Sequence, residues 1–237
     1  MINTILFDLD GTLLPLDTDV FMKAYFKALA KKMAPHGFDP EKLIGSVWAG
    51  TEKMIYNTGE QTNEEVFWQC FQQAIGCKKE DVIDVFNDFY LNDFAELDQA
   101  TNPTPYAKEC IQILKEKGYH LVVATNPMFP RQATMHRIAW AGLNPDDFEL
   151  ITTYEDSHFC KPNIKYYQEI LEKINKTPEE CLMVGNDVQE DVIAMKLQIE
   201  CYLITDCIIN RDGDPLPDNH SNFAEFIEKI KTWPEVK

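Results

Sequence analysis

The chain opens with an apolar run that ends in two carboxylates. Residues 5–7 are Ile, Leu and Phe, and Asp8, Leu9, Asp10 and Gly11 follow directly. Successive side chains of a β-strand point to opposite faces, so Asp8 and Asp10 leave the strand end on the same side. Two unpaired carboxylates held this close repel each other, and Mg²⁺ commonly binds one or two carboxylates together with phosphate oxygens. By itself the pattern indicates a cation site and a plain strand followed by an Asp-Gly turn about equally, and the rest of the chain decides between them.

The second half of the chain alternates strand-like and helix-like segments. Continuous apolar runs, as in strands covered on both faces, occupy residues 121–124, 181–184 and 201–204, with a shorter one near 150–153. Helical spacing of apolar residues lies between and after them, over 105–117, about 130–141, 163–174 and from Ser221 onward. Strands that alternate with helices imply a parallel sheet with right-handed crossovers, so we predict an α/β fold.

Residues 15–100 carry no strand signal. Apolar residues recur at helical spacing over about 18–34, from Thr62 to Gly76, and over about 80–96. Thr62 with a glutamate three residues later is typical of a capping box at a helix start. We predict an all-helical block here and interpret most of its aromatic side chains as packing residues rather than substrate contacts.

Polar side chains follow the predicted strands where each strand ends. Thr125 and Asn126 come after one strand, Asn186 and Asp187 after another, and Lys161 lies in a loop after a third. Sites in open parallel sheets lie beyond the carboxyl ends of the strands. We therefore expect these side chains to gather with the two aspartates at one edge of the sheet.

Such a set suits phosphoryl transfer. One carboxylate, assigned to Asp8, can attack phosphorus and form an aspartyl-phosphate. Asp10 can then act as general acid and base. Thr125, Asn126 and Lys161 form the predicted substrate-binding set, because a hydroxyl, an N–H and an ammonium group can stabilise charge on the phosphoryl oxygens.

Asn186 and Asp187 are the further predicted Mg²⁺ ligands, directly or through water. Asp191 lies four residues beyond Asp187 and can face the same way if the segment is helical. We predict that Asp191 either supports the metal ligands or holds Lys161.

Four motifs together resemble those of haloacid dehalogenase superfamily hydrolases, in the order found in that family. They are residues 8–12 (Asp-Leu-Asp-Gly-Thr), 124–126 (Ala-Thr-Asn), 161–162 (Lys-Pro) and 185–191 (Gly-Asn-Asp to the final Asp). The resemblance covers essentially the whole chain.

The resemblance implies a Rossmann-like three-layer core with a parallel sheet, formed by residues 1–14 and 101–237. It implies that residues 15–100 are an inserted helical cap that closes over the site and selects the substrate. It also implies dependence on Mg²⁺, with the metal bound by the Asp8 carboxylate and the Asp10 backbone carbonyl.

One position departs from the family pattern. Asn186 stands where many members have aspartate, so a charge is lost at this ligand position and Asp187 is the candidate substitute. Asp10 favours a phosphatase over a dehalogenase, because the dehalogenase branch lacks an acid/base carboxylate there. We predict a Mg²⁺-dependent phosphatase acting on a small phosphorylated metabolite through an aspartyl-phosphate. A phosphomutase of the same family and a catalytically silent phosphate-binding protein are the alternatives.

Composition limits the classes of partner that the chain is expected to bind. Acidic residues number 39 against 22 basic ones, giving a net charge of −17, which argues against nucleic acid or an anionic membrane as the main partner. The seven cysteines include no Cys-x-x-Cys pair, so we expect reduced thiols and a cytoplasmic location. We expect neither a secretory leader nor a membrane-spanning segment. The sequence carries no signal for the number of subunits.

Overall fold

A single parallel β-sheet forms the centre of the molecule in the computed structural model, which describes residues 1–236. Its strands lie in the order β3-β2-β1-β4-β5-β6, and each pairs in parallel with its neighbours. They span Thr4–Phe7 (β1), His120–Val123 (β2), Leu150–Ile151 (β3), Cys181–Gly185 (β4), Glu200–Ile204 (β5) and His220–Ser221 (β6).

The central strand β1 ends level with both of its neighbours. Phe7 is in register with Val123 of β2 and Val184 of β4. The next residue continues the ladder, since the Asp8 N–H donates to the Val184 carbonyl at 2.9 Å. The residues that follow β1, β2 and β4 therefore meet at one edge of the sheet, as the sequence predicts.

Helices cover both faces of this sheet and form the insert that follows β1. Four helices lie in the insert: Thr18–Met33 (α1), Pro40–Ile55 (α2), Asn63–Ile75 (α3) and Lys79–Asp88 (α4). Four belong to the rest of the chain: Pro105–Glu116 (α5), Arg131–Trp140 (α6), Ile164–Ile174 (α7) and Phe223–Lys231 (α8). No helix within residues 1–236 is long and apolar enough to cross a membrane.

The alternation of side chains along β1 divides the core into two apolar clusters. Ile5 and Phe7 pack into a cluster that includes Ala107 of α5 and Phe226 of α8. Leu6 points to the other face and packs with Tyr167 of α7. Helix, sheet and helix thus form three layers, which confirms the predicted Rossmann-like α/β fold.

The helical segment has its two ends side by side. Leu16 forms an antiparallel bridge with Thr101, and the Asn102 N–H donates to the Pro15 carbonyl at 2.8 Å. This pairing supports our proposal that residues 15–100, here called the cap segment, are a unit inserted into the core.

The cap segment contacts the core through the first turn of α3. Asn63 is fully buried, and its N–H donates to the Ser157 carbonyl at 2.8 Å. Its side-chain amide donates to the carbonyls of Pro127 and Phe159 at 3.3 and 3.4 Å. Both of those residues flank the strand-end region, so this contact fixes the cap segment close to it.

Helix boundaries differ from the sequence predictions at three places. The helix predicted over about 80–96 ends at Asp88, and a π-helical turn (Phe89–Asp93) followed by a 3-10 helix (Phe94–Ala100) replaces the rest. In the π turn the Phe94 N–H donates to the Phe89 carbonyl, which places both buried aromatic residues on one side. The last helix begins at Phe223, two residues later than predicted, because Ser221 belongs to β6.

The third difference follows β4. Residues 192–197 form a 3-10 helix, whereas the alternation of strands with helices predicts an α-helix between β4 and β5. The apolar pattern does not predict the helix α2. Its start nevertheless carries a recognisable signal, because Asp39 accepts a hydrogen bond from the Lys42 N–H and Pro40 occupies the first turn. The capping box at Thr62 is confirmed.

Candidate active site

A cavity of about 340 Å³ lies between the cap segment and the carboxyl edge of the sheet. Its floor includes Asp8 and Asp10 after β1, Thr125 and Asn126 after β2, and Asn186 and Asp187 after β4. All six of these predicted residues, which follow the strands, therefore line one cavity. The cavity wall from the cap segment is mainly aromatic. The interpretation of most of these aromatic residues as packing residues is therefore incomplete, since eight of them line the cavity.

Lys161 lies behind the cavity floor, does not line the cavity itself and bridges two aspartates that do. Its Nζ lies 2.9 Å from Asp8 Oδ1 and 2.7 Å from Asp191 Oδ1, and its side chain is 1% exposed. Burial acts to lower the pKa of Lys161, but the carboxylates of Asp191 and Asp8 outweigh it and hold that pKa well above the ordinary value. Lys161 therefore stays an ammonium group at the site.

For Asp8, burial outweighs the effect of the neighbouring cation on the pKa. Burial raises the pKa of the Asp8 carboxyl to about 7, although the Lys161 ammonium acts to lower it, and the Asp191 carboxylate raises it further. A second cation beside Asp8 would favour its ionised form, as a nucleophilic carboxylate requires.

Asp191 shapes the loop that follows β4. Its Oδ2 accepts hydrogen bonds from the N–H groups of Asn186 and Asp187 at 3.0 and 2.9 Å. The approach is so close that a Cβ on Gly185 would lie 2.0 Å from this oxygen. Asp191 is in a turn rather than a helix, and its other oxygen holds Lys161, one of the two roles suggested by the sequence.

Asp10 is paired with a buried arginine that the sequence interpretation missed. Arg137 of α6 is 1% exposed, and its Nη1 donates to Asp10 Oδ2. Arg137 also donates from Nη2 to Thr134 Oγ1 at 3.1 Å and stacks over the Phe129 ring at 4.7 Å. The second oxygen of Asp10, Oδ1, is buried and has no hydrogen-bond partner within residues 1–236. One carboxylate oxygen of Asp10 is thus anchored and the other makes no hydrogen bond within the described residues.

Thr125 and Asn126 follow β2, the strand next to β1, and lie beside Asp8 at the cavity floor. Thr125 is almost fully buried, and its carbonyl accepts a hydrogen bond from the Tyr166 hydroxyl at 2.9 Å. The Asn126 side chain accepts from the Lys161 N–H at 3.2 Å and donates to Glu190 Oε2 at 3.0 Å. Asn126 therefore also positions the loop that carries Lys161.

The two residues predicted as metal ligands after β4 differ in their surroundings. Asn186 Oδ1 accepts a single hydrogen bond, from Thr12 Oγ1 at 3.0 Å, and this hydroxyl lies 3.5 Å from Asp8 Oδ2. Asp187 is enclosed by donors, since Arg211 Nη1 lies 2.7 Å from its Oδ2 and two backbone N–H groups donate to its Oδ1. Asn186 is the better placed of the two to offer a ligand oxygen beside Asp8.

These groups fit Mg²⁺. Asp8, the Asp10 carbonyl and Asn186 supply only oxygen donors, and Mg²⁺ uses one or two carboxylates while it keeps several waters. No group of three or more His, Cys, Asp or Glu side chains in the described part of the chain could hold a metal ion by itself. The donor set therefore suits a hard, partly hydrated cation rather than a metal held in an all-protein cage.

Two further charged residues at the floor were not predicted. Burial raises the pKa of Glu190 to about 7, with Lys161 acting to lower it and Asp187 to raise it. Arg211 is 51% exposed and pairs with both Asp187 and Glu190. Glu190 lies inside a motif that the sequence does mark, whereas Arg211 lies in a long loop after β5 that carries no such signal.

Comparison with known proteins is consistent with this site. The sequence profile of haloacid dehalogenase-like hydrolases matches residues 2–197. The chain belongs to this family. Membership makes this haloacid dehalogenase-like protein a hydrolase and confirms the resemblance that the four motifs indicate.

Two relatives of this hydrolase show the range of named activities among similar proteins. The chain is 28% identical over 243 residues to the glyceraldehyde 3-phosphate phosphatase of Methanothermobacter thermautotrophicus, covering 100% of both chains. It is 27% identical over 192 residues to the pyrophosphatase PpaX of Bacillus cereus, covering 81% of this chain and 77% of the relative.

Solved structures confirm the fold. A HAD phosphatase from Thermococcus onnurineus superposes with a TM-score of 0.62 at 19% identity, covering 99% of this chain and 100% of that one. A 2-haloacid dehalogenase from Pseudomonas syringae pv. Tomato superposes with a TM-score of 0.63 at 18% identity, covering 97% and 98%. Because phosphatase and dehalogenase share this fold, the reaction must be argued from the site.

Proposed function

We propose that the chain is a Mg²⁺-dependent phosphatase that hydrolyses a small phosphomonoester through an aspartyl-phosphate on Asp8. The observation that carries the proposal is the second aspartate. Asp10 lines the same cavity as Asp8, with one oxygen held by Arg137 and the other buried without a partner. A reaction that protonates a leaving oxygen needs such a free carboxyl oxygen at this place.

In the first step the Asp8 carboxylate attacks phosphorus and the bond between phosphorus and the leaving oxygen breaks. Asp10, protonated on Oδ1, gives its proton to that oxygen, so the alcohol leaves neutral. Lys161 remains charged beside Asp8 and can stabilise charge on the phosphoryl oxygens, together with the Thr125 hydroxyl.

In the second step Asp10, now a carboxylate, takes a proton from a water molecule that attacks phosphorus. The phosphorus–oxygen bond to Asp8 breaks, phosphate leaves, and both aspartates return to their starting forms. Mg²⁺, held by Asp8, the Asp10 carbonyl and Asn186, would neutralise charge on the phosphoryl group. Asp191 and Asn126 act on this chemistry by holding Lys161 and its loop.

The relatives support a phosphatase. Their names describe hydrolysis of a phosphate ester and of pyrophosphate, and both activities cleave a bond to phosphorus. The dehalogenase neighbours share the fold at low identity, and the presence of Asp10 favours phosphate over halide chemistry at this site.

Hydrolysis of 4-nitrophenyl phosphate, with Mg²⁺ and with EDTA, tests the proposal. We expect turnover that depends on Mg²⁺ and that disappears in Asp8→Asn, a nearly isosteric change that removes the nucleophile. Asp84→Asn, at an exposed aspartate of α4 outside the cavity, serves as the matched control. Turnover by Asp8→Asn at the parent rate would contradict the proposal.

A further inference from the structure

The wall that the cap segment contributes to the cavity carries no charged side chain within the described residues. It is built from aromatic and aliphatic groups of α1 to α4 and the π turn, with two threonines among them. Its buried aromatic residues are Phe21 and Tyr25 of α1, Phe67 and Trp68 of α3, and Phe86 of α4. A charged group of a substrate that faced this wall would lose its hydration without gaining a partner.

The cations at or behind the floor are already paired. Lys161 lies between Asp8 and Asp191, and Arg137 donates to Asp10. Arg211 contacts two further carboxylates. This region thus holds five carboxyl groups against three cations, a deficit that one Mg²⁺ would remove. After one phosphoryl group has bound, no cation in this part of the molecule is left over for a second anionic group.

The polar atoms that the wall does present are neutral donors. Trp68 Nε1 is buried beside the Tyr154 hydroxyl and has no hydrogen-bond partner within residues 1–236. The hydroxyls of Tyr25 and Tyr90 lie 2.8 Å apart and share one hydrogen bond, which leaves one O–H uncommitted. These few neutral donors suit an uncharged acceptor and would compensate a buried anion only in part.

The size of the cavity is that of a small organic group. Its volume of about 340 Å³ is near the lower end of the range for small-molecule sites, about 300–1,000 Å³. Aromatic walls of this kind bind flat apolar groups through offset or edge-to-face contacts.

We propose that the substrate is a phosphomonoester whose alcohol part is apolar and uncharged, such as an aryl or arylalkyl group, and carries no second carboxylate or phosphate. This inference rests on the proposed phosphatase function and specifies its substrate class. It separates the chain from the pyrophosphatase that is among its relatives, because pyrophosphate places a second phosphoryl group where the wall is apolar.

Three phosphate esters with primary alcohol leaving groups test the inference without a change in leaving-group chemistry. They are 2-phenylethyl phosphate, butyl phosphate and 3-carboxypropyl phosphate, and pyrophosphate is assayed beside them with Mg²⁺. We expect kcat/KM to fall in that order, with 2-phenylethyl phosphate at least about 10-fold above 3-carboxypropyl phosphate, since apolar groups in such pockets discriminate by roughly 10–200-fold. Equal or higher kcat/KM for the carboxylate ester or for pyrophosphate would overturn the inference and leave the phosphatase proposal intact.

Binding of phosphonates, which cannot be hydrolysed, tests the preference of the cap-segment wall for apolar groups separately from turnover. Calorimetry with 2-phenylethylphosphonate and 2-carboxyethylphosphonate should give a Kd at least about 10-fold lower for the phenyl compound. If no ester is hydrolysed but this preference is found, the phosphatase proposal fails and the ligand class stands. If the carboxylate compound binds as tightly, the ligand class fails.

A charge placed on the wall should reverse the preference. Met22 of α1 lines the cavity and is partly buried, so a lysine at this position can extend along the wall. Met22→Lys should shift the ratio of kcat/KM toward 3-carboxypropyl phosphate by roughly 10-fold, as expected for a hydrogen bond between charged groups. Met22→Gln has similar length without the charge and should leave the ratio close to that of the parent. An equal shift in both variants would contradict a charge-based preference.

Discussion

Replacement of Arg137 by methionine should show how much catalysis depends on the fixed position of the Asp10 carboxylate, because Asp10 itself is unchanged. Methionine keeps an unbranched side chain of moderate length and removes the guanidinium group. The Asp10 carboxylate would remain, but Oδ2 would lose the donor that holds it. We expect a protein that folds, binds a phosphate ester and turns it over slowly.

The loss of stability can be estimated from the contacts of Arg137. Breaking a fully buried ion pair costs about 3–5 kcal/mol, but the Asp10 side chain is 30% exposed, so water can solvate part of its charge. The charge-assisted hydrogen bond is worth about 1.5–3 kcal/mol, and the contact over Phe129 about 0.5–1 kcal/mol. Methionine recovers some packing. We therefore expect the free energy of unfolding to fall by about 2–3 kcal/mol.

The effect on catalysis follows from the role of Asp10. General acid–base catalysis contributes about 10²–10⁴-fold, and a misplaced group retains part of that contribution, so kcat should fall by roughly 10–100-fold. KM should change little, because Arg137 is paired with Asp10 rather than placed among the phosphate-binding groups. The decrease in kcat/KM, which reports the first step, should be smaller for 4-nitrophenyl phosphate than for an alkyl phosphate, because nitrophenolate leaves without a proton.

Urea unfolding and steady-state kinetics on both esters measure these effects. Arg137→Lys is the matched control, since it keeps the charge and loses only the planar fork. If Arg137→Met lowered stability but left kcat within about two-fold of the parent for the alkyl ester, the anchoring role would be refuted. Equal losses of kcat/KM on both esters would also contradict it.

Three other changes test separate parts of the structure. Asn63→Ala removes the buried contacts of α3 with the core and should cost about 1–3 kcal/mol of stability in urea unfolding and raise KM. Gly185→Ala places a Cβ 2.0 Å from the Asp191 carboxylate and should lower both Tm and kcat, although residue 185 touches no substrate. Glu180 has a pKa lowered from 4.5 to about 2, chiefly by the Thr177 N–H, so its stabilisation is present above the unfolded pKa and disappears as pH falls through about 2. The Tm difference between parent and Glu180→Gln should therefore be largest near neutral pH and vanish in strong acid; a difference that grew toward low pH would contradict this sign.

Local sequence signals are enough to predict the strands whose ends position the site residues. The apolar run before Asp8 and the apolar run before Thr125 each specify a buried parallel strand, and parallel strands bring their carboxyl ends together. The capping box at Thr62 is equally local, because both of its hydrogen bonds lie within one turn.

The partners of these residues depend on tertiary structure. Arg137 meets Asp10 across 127 positions of the chain, and no local spacing relates them. The one available signal is that Arg137 falls on the buried stripe of α6 with Ala133 and Thr134. A buried arginine on an apolar stripe indicates a paired carboxylate, but which one is decided by how α6 packs against the sheet.

The aromatic residues of the cap segment illustrate a different ambiguity. Helical spacing places Phe21 and Tyr25 on the inner face of α1, and both are buried as predicted. Burial does not distinguish a residue that packs only against protein from one that also faces a cavity. Helical spacing does not indicate the π turn at Phe89–Asp93 either, because this turn is closed by a hydrogen bond to the fifth residue back rather than the fourth.

Trapping the covalent intermediate tests the central claim most directly. Asp10→Asn leaves the nucleophile in place and removes the base that activates water, while 4-nitrophenyl phosphate needs no acid to release its leaving group. Rapid mixing with Mg²⁺ should give one nitrophenolate per active site in a burst, followed by slow turnover. Mass spectrometry of the acid-quenched protein should find the phosphoryl group on the peptide that contains Asp8. Turnover without a burst, or a phosphoryl group on any other residue, would contradict the aspartyl-phosphate mechanism.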